Sequence, residues 1–324
     1  MTDLRSSGFE RPCLSRRGYE VSGFVFETGE PFPELAETAA PPVSRFRLRL
    51  SAPVPTDTVW YHYARLADGR AWPAFGKSPS DACYVIDFAG VCAFVISERG
   101  GRIDGRPAAG TAASTVRRLF LDQVIPLVLN LRGYECLHAS AVLVGGAACA
   151  FIGPSGAGKS TLAAALASPA RPLLSDDCLA LADSQDGLVA YSGNRGSKLW
   201  PDSAEALCGD HGSLPAVTGH EAKKLLESEA VPPRCAPLSR IYLLDPGPRD
   251  AAPSLGEAHP SQGVPILLEA AFRLDLTDAD MLARQFRFLM SVVSAVPLRR
   301  VRYSHDFAAL PTVCDLILAD AEAG

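Results

Sequence analysis

The sequence predicts an α/β chain: a mixed-sheet core built around a Walker A phosphate-binding loop, preceded by a β-rich N-terminal region. Three observations carry this prediction. The stretch GPSGAGKS, Gly153 to Ser160, satisfies G-x-x-x-x-G-K-[ST] and lies between the apolar run ACAFI and the alanine-rich run STLAAALA. Residues 20 to 100 are short β-branched and aromatic runs separated by Gly, Pro and Asp. Beyond residue 111, helix-like and strand-like segments alternate.

In chain order, the runs YEVSGFVFE, SRFRLRLS, TVWYHYARL, DACYVIDF and VCAFVISE read as strands, the second alternating as a half-exposed strand should. GGRIDGRPAAGTAAS is small and polar, and reads as a linker. The expected organisation is therefore a β-rich domain over 1–110 and a catalytic domain over 111–324. Residues 111–132 predict one helix, with Val116, Leu119, Phe120, Val124, Leu127 and Leu131 at helical spacing, kinked at Pro126 and stopped by Gly133. Further on, SRIYLLD predicts a buried strand, DADMLARQFRFLMSVVSA a long helix, PLRRVRYS a strand and DFAALPTVCDLILADAEA an interrupted helix. PGPRDAAPSLGEAHPSQG, residues 246–263, reads as loop. No internal repeat is visible.

Composition narrows the function classes. With 324 residues the chain can build one large core or two modest ones. A net charge of −5 argues against a broad polyanion-binding surface, so nucleic acid is not the expected partner. The nine cysteines form no C-x-x-C pair and no zinc-type spacing, and most read as small apolar residues in a reducing compartment. The N-terminus lacks an apolar signal region, and no apolar run reaches the length of a membrane span, roughly 18 residues. The expectation is a cytoplasmic protein with no membrane partner.

The chemistry concentrates between residues 137 and 181. Backbone N–H groups of Gly153, Pro154's successors Ser155, Gly156, Ala157 and Gly158, and the helix start at Lys159, Ser160 and Thr161 should converge on phosphate oxygens. Lys159 should reach the β- and γ-phosphates of ATP, and Ser160 should bind Mg²⁺. Gly145-Gly146 signals a two-residue hairpin. If it is the turn, paired residue numbers sum to a constant, and His138 falls opposite Gly153. There it can contact phosphate or a carboxylate, or serve as a hydrogen-bonded histidine at a strand start. After the loop helix, RPLLS reads as a short strand, returning by a right-handed crossover to a parallel neighbour. It delivers Asp176 and Asp177 to the carboxyl end of the sheet. One carboxylate can hold Mg²⁺ and the other can accept a proton from an attacking hydroxyl, the two pointing oppositely. No LSGGQ-type signature and no N-K-x-D motif accompanies the loop, which excludes transport ATPases and GTPases of familiar type.

The combination LHASAV, GPSGAGKS and LLSDD resembles the catalytic core of the HPr kinase/phosphorylase family, whose fold is shared with phosphoenolpyruvate carboxykinase. The resemblance is good over residues 116–210 and looser elsewhere. It implies that Asp177 accepts the proton of a substrate hydroxyl with His138 assisting, while Lys159 serves the phosphates, and Ser160 with Asp176 the metal. Through LDQVIPLVLNLRGYECLHASAV, KLWPDS and VPLRRVRYSHDFAALPTVCDLI, the chain more closely resembles HPr-kinase-like proteins of biosynthetic clusters, including lasso-peptide kinases. That implies transfer from ATP to a serine of a precursor peptide. A small-molecule kinase and an ATP-sensing regulatory module are the alternatives. The segment YSGNRGSKLW keeps Arg195 and Gly196 of the family's L-E-V-R-G-L-G-type motif but lacks its glutamate, which puts the reverse reaction in doubt. Arg195 and Lys198 are candidates for binding phosphate or an acidic substrate group, and Lys223, Lys224 and Arg273 are weaker ones. Members of that family are oligomers. The N-terminal region is expected to help bind substrate or assemble a homo-oligomer.

Overall fold

A computed structural model describes residues 16–49, 53–65, 71–185, 187–193, 196–209, 211–217, 223–228, 230–248 and 251–323. Its N-terminal part is an eight-stranded sheet of β1 (Arg17–Val21), β2 (Phe24–Thr28), β3 (Ser44–Leu48), β4 (Val59–Arg65), β5 (Ala71–Ser78), β6 (Cys83–Phe88), β7 (Cys92–Ser97) and β8 (Arg102–Pro107). The run YEVSGFVFE divides into β1 and β2, an antiparallel hairpin turning at Ser22-Gly23, and two further strands depart from the sequence reading. Pro73 and Gly76 disguise β5, which nonetheless pairs with β4 and β6. The segment expected as linker contains β8, parallel to β3 and antiparallel to β7. Its strand character is hidden because Arg102, Asp104 and Arg106 occupy one face, while Ile103 is buried on the other.

The helical segment that follows is not one kinked α-helix. It runs as α1 (Ala113–Leu119), a π-helical turn (Phe120–Val124) and α2 (Ile125–Asn130). Pro126 has no N–H to continue the ordinary ladder, and the chain widens one turn earlier, where Ile125 N–H donates to Phe120 O. This segment packs against the first sheet in a shared hydrophobic core. Phe120 is fully buried, stacked on Phe46 with ring centroids 4.1 Å apart and edge-on to Phe26 at 5.1 Å.

The second sheet begins with β9 (Glu135–Leu137), β10 (Ser140–Val144) and β11 (Ala147–Ile152). The Gly145-Gly146 hairpin keeps the expected register, from Val144 opposite Ala147 to Ser140 opposite Phe151. The ladder stops there. His138 leaves it, and its N–H donates to Ala270 O at 2.7 Å. Next come α3 (Lys159–Leu166), β12 (Leu173–Ser175), β13 (Leu179–Ser184), β14 (Gly187–Tyr191), β15 (Gly196–Leu199), α4 (Pro201–Cys208) and β16 (Lys224–Glu227). The crossover through α3 does not reach a directly bonded parallel neighbour. β12 is antiparallel to β10, which lies between it and β11. The hairpin has already occupied the edge of β11 that β12 would otherwise take.

The chain closes with β17 (Cys235–Gly247), β18 (Ser254–Glu257), α5 (Pro260–Ala270), α6 (Ala279–Ala295), β19 (Leu298–Ser304), a 3-10 turn (Phe307–Ala309) and α7 (Leu310–Glu322). Residues 246–263, expected as loop, thus hold β18 and the start of α5, whose Pro260 is at a position where its missing N–H is harmless. β17 runs parallel to both β11 and β19. Its alternation covers both faces: Ile241 and Leu243 pack with α5 and α6, Tyr242 and Leu244 with α3 and α7. No helix among the described residues is long and apolar enough to cross a membrane.

One buried contact fixes the strand leading to His138. Glu135 accepts from Gln285 Nε2 of α6 at 2.7 Å, and Gln285 also donates to Phe272 O. Burial raises the Glu135 carboxyl to about 7, partly opposed by Gln285 and the charge of Arg284. Between its ordinary range and about 7, the native state holds a proton that the unfolded chain has released. Stability therefore falls as pH rises through this window and levels off above it. In urea unfolding, wild type should lose about 3 kcal/mol relative to Glu135→Gln between about pH 4.5 and pH 7. Parallel pH profiles for the two proteins would contradict the assignment.

Candidate functional site

At the carboxyl end of the second sheet the glycine-rich loop, the acid pair, β15 and the chain after β19 surround a cavity of about 370 Å³. The loop is shaped by its glycines where it matters: Gly156 and Gly158 have φ of 83° and 87°, which side chains with a Cβ adopt only with strain. Gly158 then starts α3, and Ser155 through Thr161 line the cavity. Gly153 and Pro154 form the base of the loop, where Lys159 Nζ donates to Gly153 O at 2.9 Å and to Pro154 O at 3.2 Å. Burial lowers the pKa of Lys159, with Asp177 and Asp176 opposing the shift. The Thr161 hydroxyl donates to Ser203 Oγ of α4 at 3.0 Å. Such an arrangement of backbone N–H groups, helix start and ammonium can bind a polyphosphate.

The two aspartates have different surroundings because the chain turns sharply between them. Cys178 N–H donates to Asp176 O at 2.9 Å, closing a γ-turn about Asp177, whose φ is 66°. A positive φ at a non-glycine residue stores strain that neighbours must offset. Three contacts do so. His138 Nδ1 bonds the Asp177 carbonyl at 2.9 Å, Ser175 Oγ donates to the Cys178 carbonyl, and Gly193 lies so close that a Cβ there would meet Ser175 Oγ at 2.2 Å. Since a carbonyl only accepts, Nδ1 of His138 carries the proton, and in the neutral ring Nε2 is the acceptor.

Asp176 is buried beneath the cavity. Its carboxylate accepts from Ser140 Oγ at 2.6 Å and from the Lys198 backbone N–H at 2.9 Å. Burial and the adjacent Asp177 push its pKa up. Asp177 instead faces the cavity. Burial alone would raise its carboxyl, but Lys198, Lys223 and His138 together hold it below the usual carboxylate range.

Lys198 is more central than its sequence context suggests. Its Nζ lies 2.6 Å from Asp122 and 3.1 Å from Asp177, and its side chain is only 12% exposed. Burial would discharge it, yet the two carboxylates more than compensate and raise its pKa. It is therefore spoken for by carboxylates rather than presented alone to a phosphate. Asp122 is the site residue the sequence reading missed. It sits in the π turn, with its pKa raised by burial against the pull of Lys198. The available signal was the helix's one acidic residue, within the apolar stretch just ahead of Pro126. Arg195 lies outside the described residues. Lys223 lines the cavity with its Nζ 5.2 Å from the ring centroid of the exposed Trp200. Lys224 donates to Leu214 O and Arg273 to Leu268 O, and neither lines the cavity.

Among the described residues no three His, Cys, Asp or Glu side chains converge as a metal cage. A Mg²⁺ ion needs none, because it keeps several waters and takes most remaining ligands from phosphate. Ser160, which lines the cavity, offers the hard oxygen such an ion requires. The donor set fits.

No protein-family model matches the chain, and no curated protein matches it. Among solved structures, the chain is similar to the Hpr(Ser) kinase/phosphatase from Coxiella burnetii. That likeness has 12% identity and a TM-score of 0.31, and covers 58% of this chain and 97% of that one.

Removing the cation between Asp122 and Asp177 leaves a buried carboxylate uncompensated. Lys198→Met should cost about 3–5 kcal/mol in urea unfolding, and adding Asp122→Asn should recover part of the loss. Additive effects of the two substitutions would show that the pair is not coupled.

Proposed function

We propose that this protein is an ATP-dependent phosphotransferase that phosphorylates a serine hydroxyl of a peptide, a precursor peptide of lasso type being the favoured substrate. One observation carries the reading: an ionised carboxylate, Asp177, faces the same cavity as the glycine-rich loop and is locked by Lys198 and by the His138 contact to its backbone. A nucleotide-sensing module needs the loop but has no use for a fixed, strained carboxylate beside it.

In this reading the loop from Gly153 to Thr161 cradles the triphosphate, and Lys159 turns from the loop carbonyls to the β- and γ-phosphates. Bound at Ser160, with Asp176 behind it, Mg²⁺ would neutralise charge across the β- and γ-phosphates. Asp177 accepts a hydrogen bond from the substrate hydroxyl and points its oxygen at the γ-phosphorus. The new O–P bond forms as the bond to the β,γ-bridging oxygen breaks. ADP departs with that electron pair, and the hydroxyl proton passes to Asp177. A loose phosphoryl-transfer transition state demands orientation more than strong basicity, so a carboxylate held ionised is adequate. The mouth on this side carries Trp200 and Lys223, an exposed aromatic and a cation suited to an extended peptide.

Incubation with γ-labelled ATP and serine-containing synthetic peptides, read by mass spectrometry, should show one added phosphate on serine. Transfer should fall by at least about 100-fold in Lys159→Ala and in Asp177→Asn. Undiminished transfer by Asp177→Asn would remove that residue from the mechanism. Labelling confined to non-peptide hydroxyls would make the protein a small-molecule kinase, and tight ATP binding without any transfer would make it a sensor.

A further inference from the structure

We infer that the nucleobase of the bound triphosphate stacks on Phe307, in a seat formed by the segment after β19 and the start of α7. This rests on the phosphotransferase reading, and it names a part of the site that no motif in the sequence marks.

The argument starts from strand order. At the carboxyl end of the second sheet β12 and β19 stand on opposite sides of β11, with β10 on one flank and β17 on the other. The glycine-rich loop follows β11, so it lies between them. The acid pair follows β12, and the phosphate to be transferred must lie beside Asp177. The remaining phosphates and the nucleoside are then directed away from β12, toward β17 and β19.

The wall on that side has the right chemistry. Tyr303, His305, Phe307, Leu310 and Val313 all line the cavity, against Asp177, Lys198 and Lys223 on the acid-pair side. Tyr303 ties this wall to the loop, because its hydroxyl donates to the Ala157 carbonyl. The wall is also held in shape: Asp306 caps the 3-10 turn by accepting from Ala308 N–H at 3.0 Å, and Val313 is buried in the core that includes α3. Phe307 is the anomaly. It is 39% exposed, a large apolar ring left at the cavity edge on a braced turn. An aromatic heterocycle placed on it would gain stacking and remove that apolar surface from water.

The test compares calorimetric titrations of Mg·ATP and Mg·tripolyphosphate into wild type, Phe307→Ala and Phe307→Tyr. Phe307→Ala should weaken ATP binding about tenfold and leave tripolyphosphate unchanged, and Phe307→Tyr should retain ATP affinity. Unchanged ATP affinity in Phe307→Ala overturns the seat. So does an equal loss for both ligands, which would mean that the ring only supports the fold. A wild type that binds neither ligand overturns the phosphate-loop reading itself, and the seat with it.

Discussion

The site depends on one buried cation. Lys198 meets three carboxylates from two parts of the chain: its ammonium holds Asp122 and Asp177, and its backbone N–H holds Asp176. Without it, three acidic groups would crowd a poorly solvated space, and at least one would have to take up a proton or move apart. With it, the charges sort themselves. Asp176, satisfied by the Ser140 hydroxyl and an N–H, is the carboxyl whose pKa rises, while Asp177, next to the ammonium, is held ionised.

The same cation links the N-terminal sheet to the chemistry. Asp122 is carried by the π turn, and that turn is placed by Phe120, whose ring is stacked on Phe46 inside the first sheet. A line of contacts thus runs from the first sheet through Phe120 and Asp122 to Lys198 and Asp177. Stripping away β1–β8 would expose Val116, Leu119, Phe120 and Val124, all now buried. The first sheet is in this sense a support for the site, separately from any role in binding substrate or in assembly.

What was legible in the sequence was local. A glycine pair announces a hairpin, a Walker A pattern announces a loop and helix, and a constant sum of residue numbers announces a register, because each is decided by neighbours in the chain. The illegible parts were decided at a distance. β8 is a strand because β3 and β7 offer it partners, although Arg102, Asp104, Gly105 and Arg106 have little strand propensity. Lys198 read as an available cation because the partners of its ammonium lie well away in sequence, and Asp122 drew no reading at all because no motif near it in the chain marks it. His138 was placed near the loop by extending a ladder that in fact ends at Ser140. It reaches the site by a different route, through the Asp177 carbonyl.

That route bears on how the strained turn survives. A left-handed aspartate costs about 1–3 kcal/mol, and it persists only where the surroundings leave no better option. Here the strand before it is anchored to β10, the residue after it is tied by Ser175 and enters β13, and its own carbonyl is bound by His138. A relaxed turn would swing the Asp177 carboxylate out of reach of Lys198 and break the ion chain to Asp122. The ion chain and the turn therefore stabilise each other. The cation holds the side chain of Asp177, the histidine holds its backbone, and the carboxylate is left with few degrees of freedom at the edge of the cavity.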